Sequence, residues 1–315
     1  MKRILLLTAS LIFIYFYFQL STNKHPKDII YLEDHQIYSW GINSINAQEA
    51  WSKTKGENVK IAILDTGVDV SHPDLKNNIK GTYNAIENNN EVEDGCGHGT
   101  LIAGIIASAK NSFGVVGVAP EAELYIVKVL DDNAEGDVVD IVNGIYWCIE
   151  NNIQIINLSF GISKDIPLLK NAINDARESG IIIVASSGNT SGSAAEYPAA
   201  YEEVISISVV DKMNQKTYFA AKGKIDFCAP GTEIISTYLD GTYKECFGAS
   251  FSTAFATGFI ALILQKSIEF NNEFSNVNKD LDLLSQLIQN CMDLGIKGKD
   301  EEYGYGKLSM KNNNY

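Results

Sequence analysis

Short, continuous apolar runs alternate with stretches of helical periodicity along most of this sequence. Four of these runs occupy residues 59–64, 124–130, 153–158 and 181–185. Runs of this kind are typical of strands in a parallel sheet that is buried on both faces. Between them, residues 137–151 and 166–179 have helical spacing, and Gly180 follows the second stretch as a helix stop signal. The alternation predicts an α/β fold, with a mostly parallel sheet and helices on both of its faces.

The charge balance limits the classes of function. The chain of 315 residues has 25 Lys and Arg against 39 Asp and Glu, a formal charge of −14. This excess of acid argues against a nucleic-acid-binding protein, because such binding depends on Lys and Arg. With 45% hydrophobic and 20% charged residues the composition is that of a globular protein. Residues 36–309 show no internal repeat or linker, so we expect one domain there, followed by a frayed tail at 310–315.

The N-terminus is predicted to be a targeting segment, which we place at residues 1–30. Lys2 and Arg3 precede an apolar run at residues 4–18 that is shorter than the ~20 residues that span a bilayer comfortably. No Ala-x-Ala site precedes Ser21, so a cleaved signal peptide and an uncleaved membrane anchor both stay open, with a buried core helix as a third alternative. The positive charges at the start predict that the rest of the chain lies outside the cytoplasm.

Three segments each place a different reactive side chain at the boundary of a predicted element. Asp65 ends a buried strand in IAILDTGVD, His98 begins an apolar helix in DGCGHGTLIAG, and Ser250 begins another in FGASFSTAFATG. A serine hydroxyl becomes a good nucleophile when an imidazole takes its proton and a carboxylate orients that imidazole. Each residue alone has a simpler explanation, as a turn residue, a structural histidine or a helix N-cap. The three together, in the order Asp, His, Ser, predict a catalytic triad.

The sequence resembles the subtilisin family of serine proteases, in which the triad has this chain order. Further motifs of the family follow one another along residues 36–307: SHPDL at 71–75, NSFGVVGVAP at 111–120, INLSFG at 156–161, SSGN at 186–189, YPAAY at 197–201 and APG at 229–231. The resemblance implies a three-layer fold in which Asp65 orients His98, the general base and then acid for the nucleophile Ser250. It also implies that the Asn189 side chain completes the oxyanion hole with the backbone N–H of Ser250.

Several positions depart from the family pattern without removing a proton-transfer group. They are Cys96, Leu101, Ala249, Phe251 and Ala254. These departures concern the shape of the subsites more than the chemistry. Between Ser21 and Gln36 we expect no folding prodomain of the kind that many exported relatives carry. Cys148 is expected in the core, whereas a disulfide between Cys228 and Cys246 stays open.

The resemblance also implies a structural Ca²⁺ site, because many members of the family hold the ion at the corresponding positions. The side-chain ligands would come from Gln36, Asp74 and Asn111, and the backbone carbonyls from Ala109, Phe113 and Val115. About six to eight oxygen ligands suit this hard cation. The alternative is a set of polar loop residues that hold no ion.

The substrate is expected to lie as an added strand between two segments of the chain. One segment is Ser159, Phe160 and Gly161, and the other ends at Gly136. The resemblance places Glu196 at the floor of the pocket for the residue before the scissile bond, where a carboxylate would pair with Arg or Lys. The alternative is that Glu196 faces solvent from a loop. Further acidic residues would surround the neighbouring subsites and attract a basic peptide: Asp94, which we count among the substrate-binding residues, Asp131, Asp132, Glu135 and Asp137.

These inferences predict a secreted or membrane-tethered, calcium-supported serine endopeptidase of the subtilisin type. Its partner would be a peptide or protein substrate, with no nucleic acid, membrane contact only through the N-terminal segment, and a monomeric state. The short leader and the acidic pocket favour a protease that processes a peptide after a basic residue, like the relatives that mature lantibiotic-like peptides, over a broad-specificity scavenging protease. The same motifs are also compatible with a catalytically silent peptide-binding protein of this fold, or with an esterase that uses the triad.

Overall fold

The computed structural model describes residues 29–30, 35–270 and 279–310. The strands within them are β1 (Ile29–Ile30), β2 (Lys60–Asp65), β3 (Ile79–Asn84), β4 (Glu123–Lys128), β5 (Ile155–Leu158), β6 (Ile182–Ser186), β7 (Ile205–Val210), β8 (Phe227–Pro230), β9 (Ile234–Thr237), β10 (Tyr243–Cys246), β11 (Cys291–Met292) and β12 (Lys307–Leu308). The helices are α1 (Trp40–Ser44), α2 (Ala47–Ala50), α3 (His98–Ala107), α4 (Val138–Glu150), α5 (Pro167–Glu178), α6 (Ala249–Phe270) and α7 (Lys279–Gln289).

A central sheet of nine strands runs through the described residues in the order β11-β12-β8-β7-β6-β5-β2-β4-β3. From β12 to β3 each strand is parallel to its neighbour, and β11 pairs antiparallel with β12. The chain order reverses at β2, because β4 lies on one side of it and β5 on the other. In open α/β sheets, ligands bind outside the carboxyl ends of the strands at such a point. Asp65, the last residue of β2, lies there.

The central strands divide their side chains between two apolar cores, one on each face of the sheet. Ile61 and Ile63 of β2 belong to the core that contains the apolar residues of α3 and α6. Ala62 and Leu64, which alternate with them, belong to the core that contains those of α4 and α5. Because both faces of the strand are covered, its residues 61–64 are all apolar. This arrangement of helices, sheet and helices confirms the predicted α/β fold.

The predicted elements agree with the structure to within about two residues at each end, the usual scatter of helix and strand boundaries. The helix expected at 137–151 is α4, whose N-cap is Asp137 and whose C-cap is Asn151. The Asp137 carboxylate accepts a hydrogen bond from the N–H of Val139 at 2.8 Å. The helix expected at 166–179 is α5. Helical spacing, with Gly180 as a stop signal for the second helix, was therefore sufficient to place both elements.

The ends of the chain are described in part. Strands β1, β10 and β9 form a small antiparallel sheet, and β10 leads into α6. Met310, the first residue of the predicted frayed tail, is buried and its N–H donates to the Ile45 carbonyl at 2.9 Å. The rest of that tail and residues 1–28 of the predicted targeting segment lie outside the described residues. In the part of the chain that the structure describes, no helix combines the length and apolar character needed to cross a bilayer.

Candidate active site

A buried hydrogen bond joins the carboxyl end of β2 to the first residue of α3. Nδ1 of His98 lies 2.7 Å from Oδ1 of Asp65, and both side chains are 1% exposed. Burial lowers the pKa of His98, but the charge of Asp65, its hydrogen bond and the charge of Asp94 together raise the pKa above its ordinary value. The contact fixes the orientation of the ring and stabilises the imidazolium that forms when the ring takes a proton.

Close backbone packing brings these two residues together. A side chain at Gly99 would collide with the carbonyl of Gly67 and lie 3.3 Å from the Cβ of Asp65. Gly97 has a φ of +86° and makes the left-handed turn from which α3 starts. The glycines on both sides of His98 therefore allow the helix to begin directly against the turn that follows β2.

Ser250 lies in the first turn of α6, after a turn in which Gly248 has a φ of +141°. Its hydroxyl donates to the carbonyl of Ser159 at 2.7 Å, and the hydroxyl of Ser159 donates to the carbonyl of Ser250 at 3.2 Å. This reciprocal pair fixes the start of α6 against the end of β5. The ring of Phe251 lies 5.7 Å from the ring of His98, measured between centroids. The starts of α6 and α3, which carry Ser250 and His98, thus lie next to each other.

Asn189 lines the same cavity as Ser250. Its side-chain oxygen accepts a hydrogen bond from the N–H of Ala249 at 3.0 Å. Because the oxygen is engaged in this way, the NH₂ group is the half of the amide that can donate to a ligand. The backbone N–H of Ser250, in the first helical turn, has no acceptor within its helix. Two N–H donors are therefore available to a ligand at this place, as the predicted oxyanion hole requires.

The cavity next to Ser250 has a volume of about 440 Å³. Its lining includes three of the predicted substrate-binding residues: Ser159, Phe160 and Gly161. Glu196 also lines it, with its carboxylate placed so that a side chain at Gly161 or Gly188 would collide with it. Burial raises the pKa of Glu196, and no residue within 29–30, 35–270 and 279–310 gives its carboxylate a hydrogen bond or an ion pair. Glu196 thus lines the cavity from a loop and is partly exposed.

Asp94, which we predicted to bind substrate, is 4% exposed and does not line this cavity. Its two oxygens accept five hydrogen bonds of 2.7 to 3.1 Å, from the N–H groups of Cys96, Gly97 and Thr100 and from the hydroxyls of Thr66 and Thr100. All of these donors are protein groups at the start of α3 or in the turn after β2. Asp94 therefore holds the helix that carries His98, and it has little capacity left for a substrate.

The loop between β4 and α4 contains the remaining predicted groove residues. Gly136 packs against the carbonyl of Val129 and is not among the described residues that line the cavity. The Asp131 carboxylate accepts from the N–H of Glu135 at 2.9 Å, and Asp137 caps α4. The carboxylates of Asp131 and Asp137 thus have local structural roles in addition to their charge.

Sequence reasoning missed Lys128, the last residue of β4, and treated its segment as a plain apolar run. Its Nζ lies 3.0 Å from the Asp132 carboxylate, and the hydrogen bond from Lys128 lowers the pKa of that carboxyl. The available signal was a single charge inside an otherwise apolar predicted strand. Such a charge is rarely buried without specific partners, so it indicates a candidate site residue.

The six predicted calcium ligands lie close together. The side-chain nitrogen of Gln36 is surrounded by four oxygens: Ala109 O at 2.9 Å, Asn111 Oδ1 at 3.1 Å, Phe113 O at 3.3 Å and Val115 O at 3.3 Å. Asp74 lies beside them and accepts from Asn111 Nδ2 at 2.8 Å, Val115 N at 3.0 Å and the Tyr243 hydroxyl at 3.0 Å. An amide NH₂ has only two hydrogens to donate. Four converging oxygens therefore fit a cation better than they fit an amide.

All five cysteines are free thiols, so Cys228 and Cys246 are not bridged. Cys148 is fully buried in the core of α4 and α5, as predicted. Burial raises the pKa of Cys96 to about 11, so this thiol near His98 is protonated at neutral pH.

The sequence is similar to those of known proteases. The model of the Subtilase family matches residues 56–306. The chain is 38% identical over 275 residues to the minor extracellular protease Epr of Bacillus subtilis (strain 168), covering 86% of this chain and 41% of that protein. It is 40% identical over 239 residues to a thermostable alkaline protease of Halalkalibacterium halodurans (75% and 65%), and 41% identical over 262 residues to subtilisin E of Bacillus subtilis (79% and 68%). The chain spans less than two thirds of the first two relatives. A family match over most of the chain, with these identities, shows that the protein belongs to the subtilase family.

Proposed function

We propose that this protein is a serine endopeptidase that hydrolyses peptide bonds through Asp65, His98 and Ser250. The observation that supports this most strongly is the buried 2.7 Å contact between His98 and Asp65, at the corner where α6 presents Ser250. An imidazole whose Nδ1 is held by a carboxylate presents Nε2 as a base. The two potential oxyanion donors, in Asn189 and Ser250, lie at the same place.

In this mechanism Ser250 Oγ attacks the scissile carbonyl carbon while its proton moves to Nε2 of His98. The hydroxyl hydrogen rotates about the Cβ–Oγ bond, so it can turn from the Ser159 carbonyl to the imidazole. The negative oxygen of the intermediate accepts from Asn189 and the backbone N–H of Ser250. His98 then protonates the leaving amine, the C–N bond breaks, and an acyl ester remains on Ser250. Water, deprotonated by His98, hydrolyses that ester.

Hydrolysis of an internally quenched peptide by the wild type and by Ser250→Ala tests this proposal. We expect turnover by the wild type and a loss of at least about 10⁴-fold in the variant. A peptide that binds to both proteins and is cut by neither would indicate a catalytically silent binding protein. Cleavage of a matched ester without cleavage of the peptide would indicate an esterase.

For the substrate, we propose cleavage after Arg or Lys, which Glu196 would recognise. A largely buried carboxylate without a protein donor is unfavourable, and a guanidinium can satisfy it with paired hydrogen bonds. At an effective dielectric constant of ~20, a contact near 4 Å contributes about 4 kcal/mol before the cost of desolvation. Peptides that differ only in Arg, Leu or Phe before the cut test this, and equal kcat/KM values would contradict it. Cleavage of a protein mixture at a single kind of basic site would favour a processing protease over a scavenging one.

We propose that the oxygen cage around Gln36 holds Ca²⁺ and supports stability. With the Gln36 amide turned over, its oxygen would join those of Asp74 and Asn111 and the three carbonyls, which is a hard oxygen set of the size that this ion takes. Among the described residues no three His, Cys, Asp or Glu side chains form a metal site, so neutral oxygens would dominate. Thermal unfolding with Ca²⁺ and with a chelator tests this. The wild type should lose several degrees in Tm on chelation and Gln36→Ala should not respond; an unresponsive wild type would contradict the proposal.

We propose that residues 36–309 form the catalytic domain and act outside the cytoplasm, either secreted or tethered through the N-terminal segment. The support is the basic and apolar start of the sequence and the word extracellular in the name of one relative. Mass spectrometry of the N-terminus, with fractionation of the producing cells, separates the two arrangements. A mature N-terminus beyond residue 20 in the medium indicates secretion, whereas an intact N-terminus in the membrane fraction indicates a tether.

A further inference from the structure

Lys128 is a buried cation at the end of β4, beside the predicted triad. The residue is 9% exposed, and in the ladder between β2 and β4 it lies opposite Asp65. Burying an ammonium group is costly unless all of its N–H groups find acceptors. The proposed mechanism makes no use of this charge, so the cost of burying it requires another explanation.

The ammonium group has three N–H donors, and three separate loops supply its acceptors. Nζ lies 2.6 Å from the carbonyl of Thr66, 3.0 Å from the carbonyl of Glu93 and 3.0 Å from Oδ1 of Asp132. Thr66 directly follows Asp65, and Glu93 directly precedes Asp94. One cation therefore connects the turn after β2, the loop before α3 and the loop after β4.

The three loops are also bonded to one another. The Thr66 hydroxyl donates to Asp94 at 2.8 Å and accepts from the N–H of Gly99 at 3.0 Å. Oδ1 of Asp132 accepts from the N–H of Gly95 at 3.3 Å. The ammonium group thus lies at the centre of a polar network around the N-terminus of α3.

From this arrangement we propose that Lys128 is a positioning residue, which keeps His98 against Asp65 by holding the loops that carry them. The proposal rests on the proposed protease function. Without the cation, the buried carbonyl of Thr66 and the partly buried carbonyl of Glu93 would each lose a donor, and the two loops would move apart to reach water. A displacement of about 1 Å at catalytic groups costs up to about 10²-fold in rate. The expected loss is therefore in turnover and not in substrate binding.

Lys224 provides a matched control. Its Nζ donates to the carbonyl of Val204 and lies 2.6 Å from the Asp226 carboxylate, and its side chain is 16% exposed, against 11% for Lys128. Lys224 and Val204 precede β8 and β7, so this lysine lies at the amino ends of parallel strands. The triad lies at the opposite, carboxyl ends. Removal of Lys224 breaks contacts of the same kind without touching the loops around His98.

Steady-state kinetics of Lys128→Met and Lys224→Met on one peptide, with thermal unfolding of both, test the proposal. We expect kcat to fall about 10- to 100-fold in Lys128→Met with KM within about twofold of the wild type. Lys224→Met should lose stability and keep the wild-type kcat. A folded Lys128→Met with wild-type kcat, or an equal loss of kcat in Lys224→Met, would overturn the proposal.

A milder variant decides the matter if Lys128→Met does not fold. Asp132→Asn removes the charge from one of the three acceptors, and this side chain is 66% exposed, so the variant should fold. On an uncharged peptide, for which the charge of this loop does not affect binding, we expect kcat to fall about two- to fivefold, the effect of one weakened hydrogen bond, with KM unchanged; an unchanged kcat would overturn the proposal. An inactive wild type would refute the protease function itself, whereas an active wild type with unaffected variants refutes only the positioning role.

Discussion

Two carboxylates, that of Asp94 in the turn before α3 and that of Glu196 in the cavity beside Ser250, illustrate two different uses of the same chemical group. Asp94 accepts five hydrogen bonds from the backbone and hydroxyls around the start of α3. Glu196 receives no hydrogen bond or ion pair from any described residue, and burial raises its pKa. A carboxylate whose acceptor capacity is used by the protein serves the structure. One that is largely buried without a partner is the better candidate for contact with a ligand.

Substitution of Asp94 should have the largest effect on kcat/KM. Asp94→Ala leaves three N–H groups without their acceptor and removes a charge that raises the pKa of His98. We expect kcat/KM to fall at least about 10²-fold on every peptide, because His98 would lose its position relative to Asp65. Kinetics on Arg, Leu and Phe peptides measure this. A loss confined to Arg peptides would mean that Asp94 binds substrate.

Substitution of Glu196 should have the next largest effect on kcat/KM, and this effect should depend on the peptide. Glu196→Ala should lower kcat/KM for an Arg peptide about 10- to 100-fold and change it little for a Leu peptide, because only the cationic side chain loses its partner. Glu202→Ala, an exposed acid in the chain segment that follows, is the matched control. Equal losses on both peptides would show that Glu196 supports the cavity wall and does not recognise charge.

The pH dependence of the Arg preference distinguishes the same two carboxylates. Glu196 has a raised pKa, so it is ionised above that pKa and becomes neutral as the pH falls through it. The ratio of kcat/KM for Arg over Leu should therefore decline on the acid side by up to about tenfold, and the decline should be absent in Glu196→Ala. The ratio cancels the protonation of His98, which lowers both rates. A ratio that does not change with pH would contradict the assignment.

The smallest expected effect concerns the acidic loop after β4, where charge acts at a distance. Glu135→Ala removes an exposed charge. We expect kcat/KM for a basic peptide to fall about twofold at low ionic strength and to match the wild type near 1 M salt, where the Debye length is about 3 Å. The ionic-strength dependence of both proteins measures this, and a loss that persists at high salt would indicate direct contact.

The sequence predicted the sheet, α4, α5 and the neighbourhood of the triad because those features have local signals. Continuous apolar runs, helical spacing and the glycines beside His98 are all visible along the chain. The role of Asp94 was not predictable in this way. Its position near His98 was evident, but the direction of its side chain depends on donors in Thr66 and Thr100 that only folding brings together.

Lys128 was missed for the same reason. Two of its three acceptors are carbonyls from residues that lie 62 and 35 positions away in sequence, and a carbonyl leaves no trace in residue type. Met310 likewise looked like the start of a frayed end, although its backbone is bonded to Ile45. Contacts made by the backbone across long separations are the part of this fold that composition and periodicity do not reveal.

Labelling with a fluorophosphonate, followed by peptide mapping, shows whether Ser250 is an activated nucleophile. The reagent reacts with a serine only when a neighbouring base activates it. We expect one adduct, on Ser250, whose rate of formation falls by several orders of magnitude in His98→Ala. No adduct on the folded wild type, or equal labelling of Ser250→Ala, would contradict it.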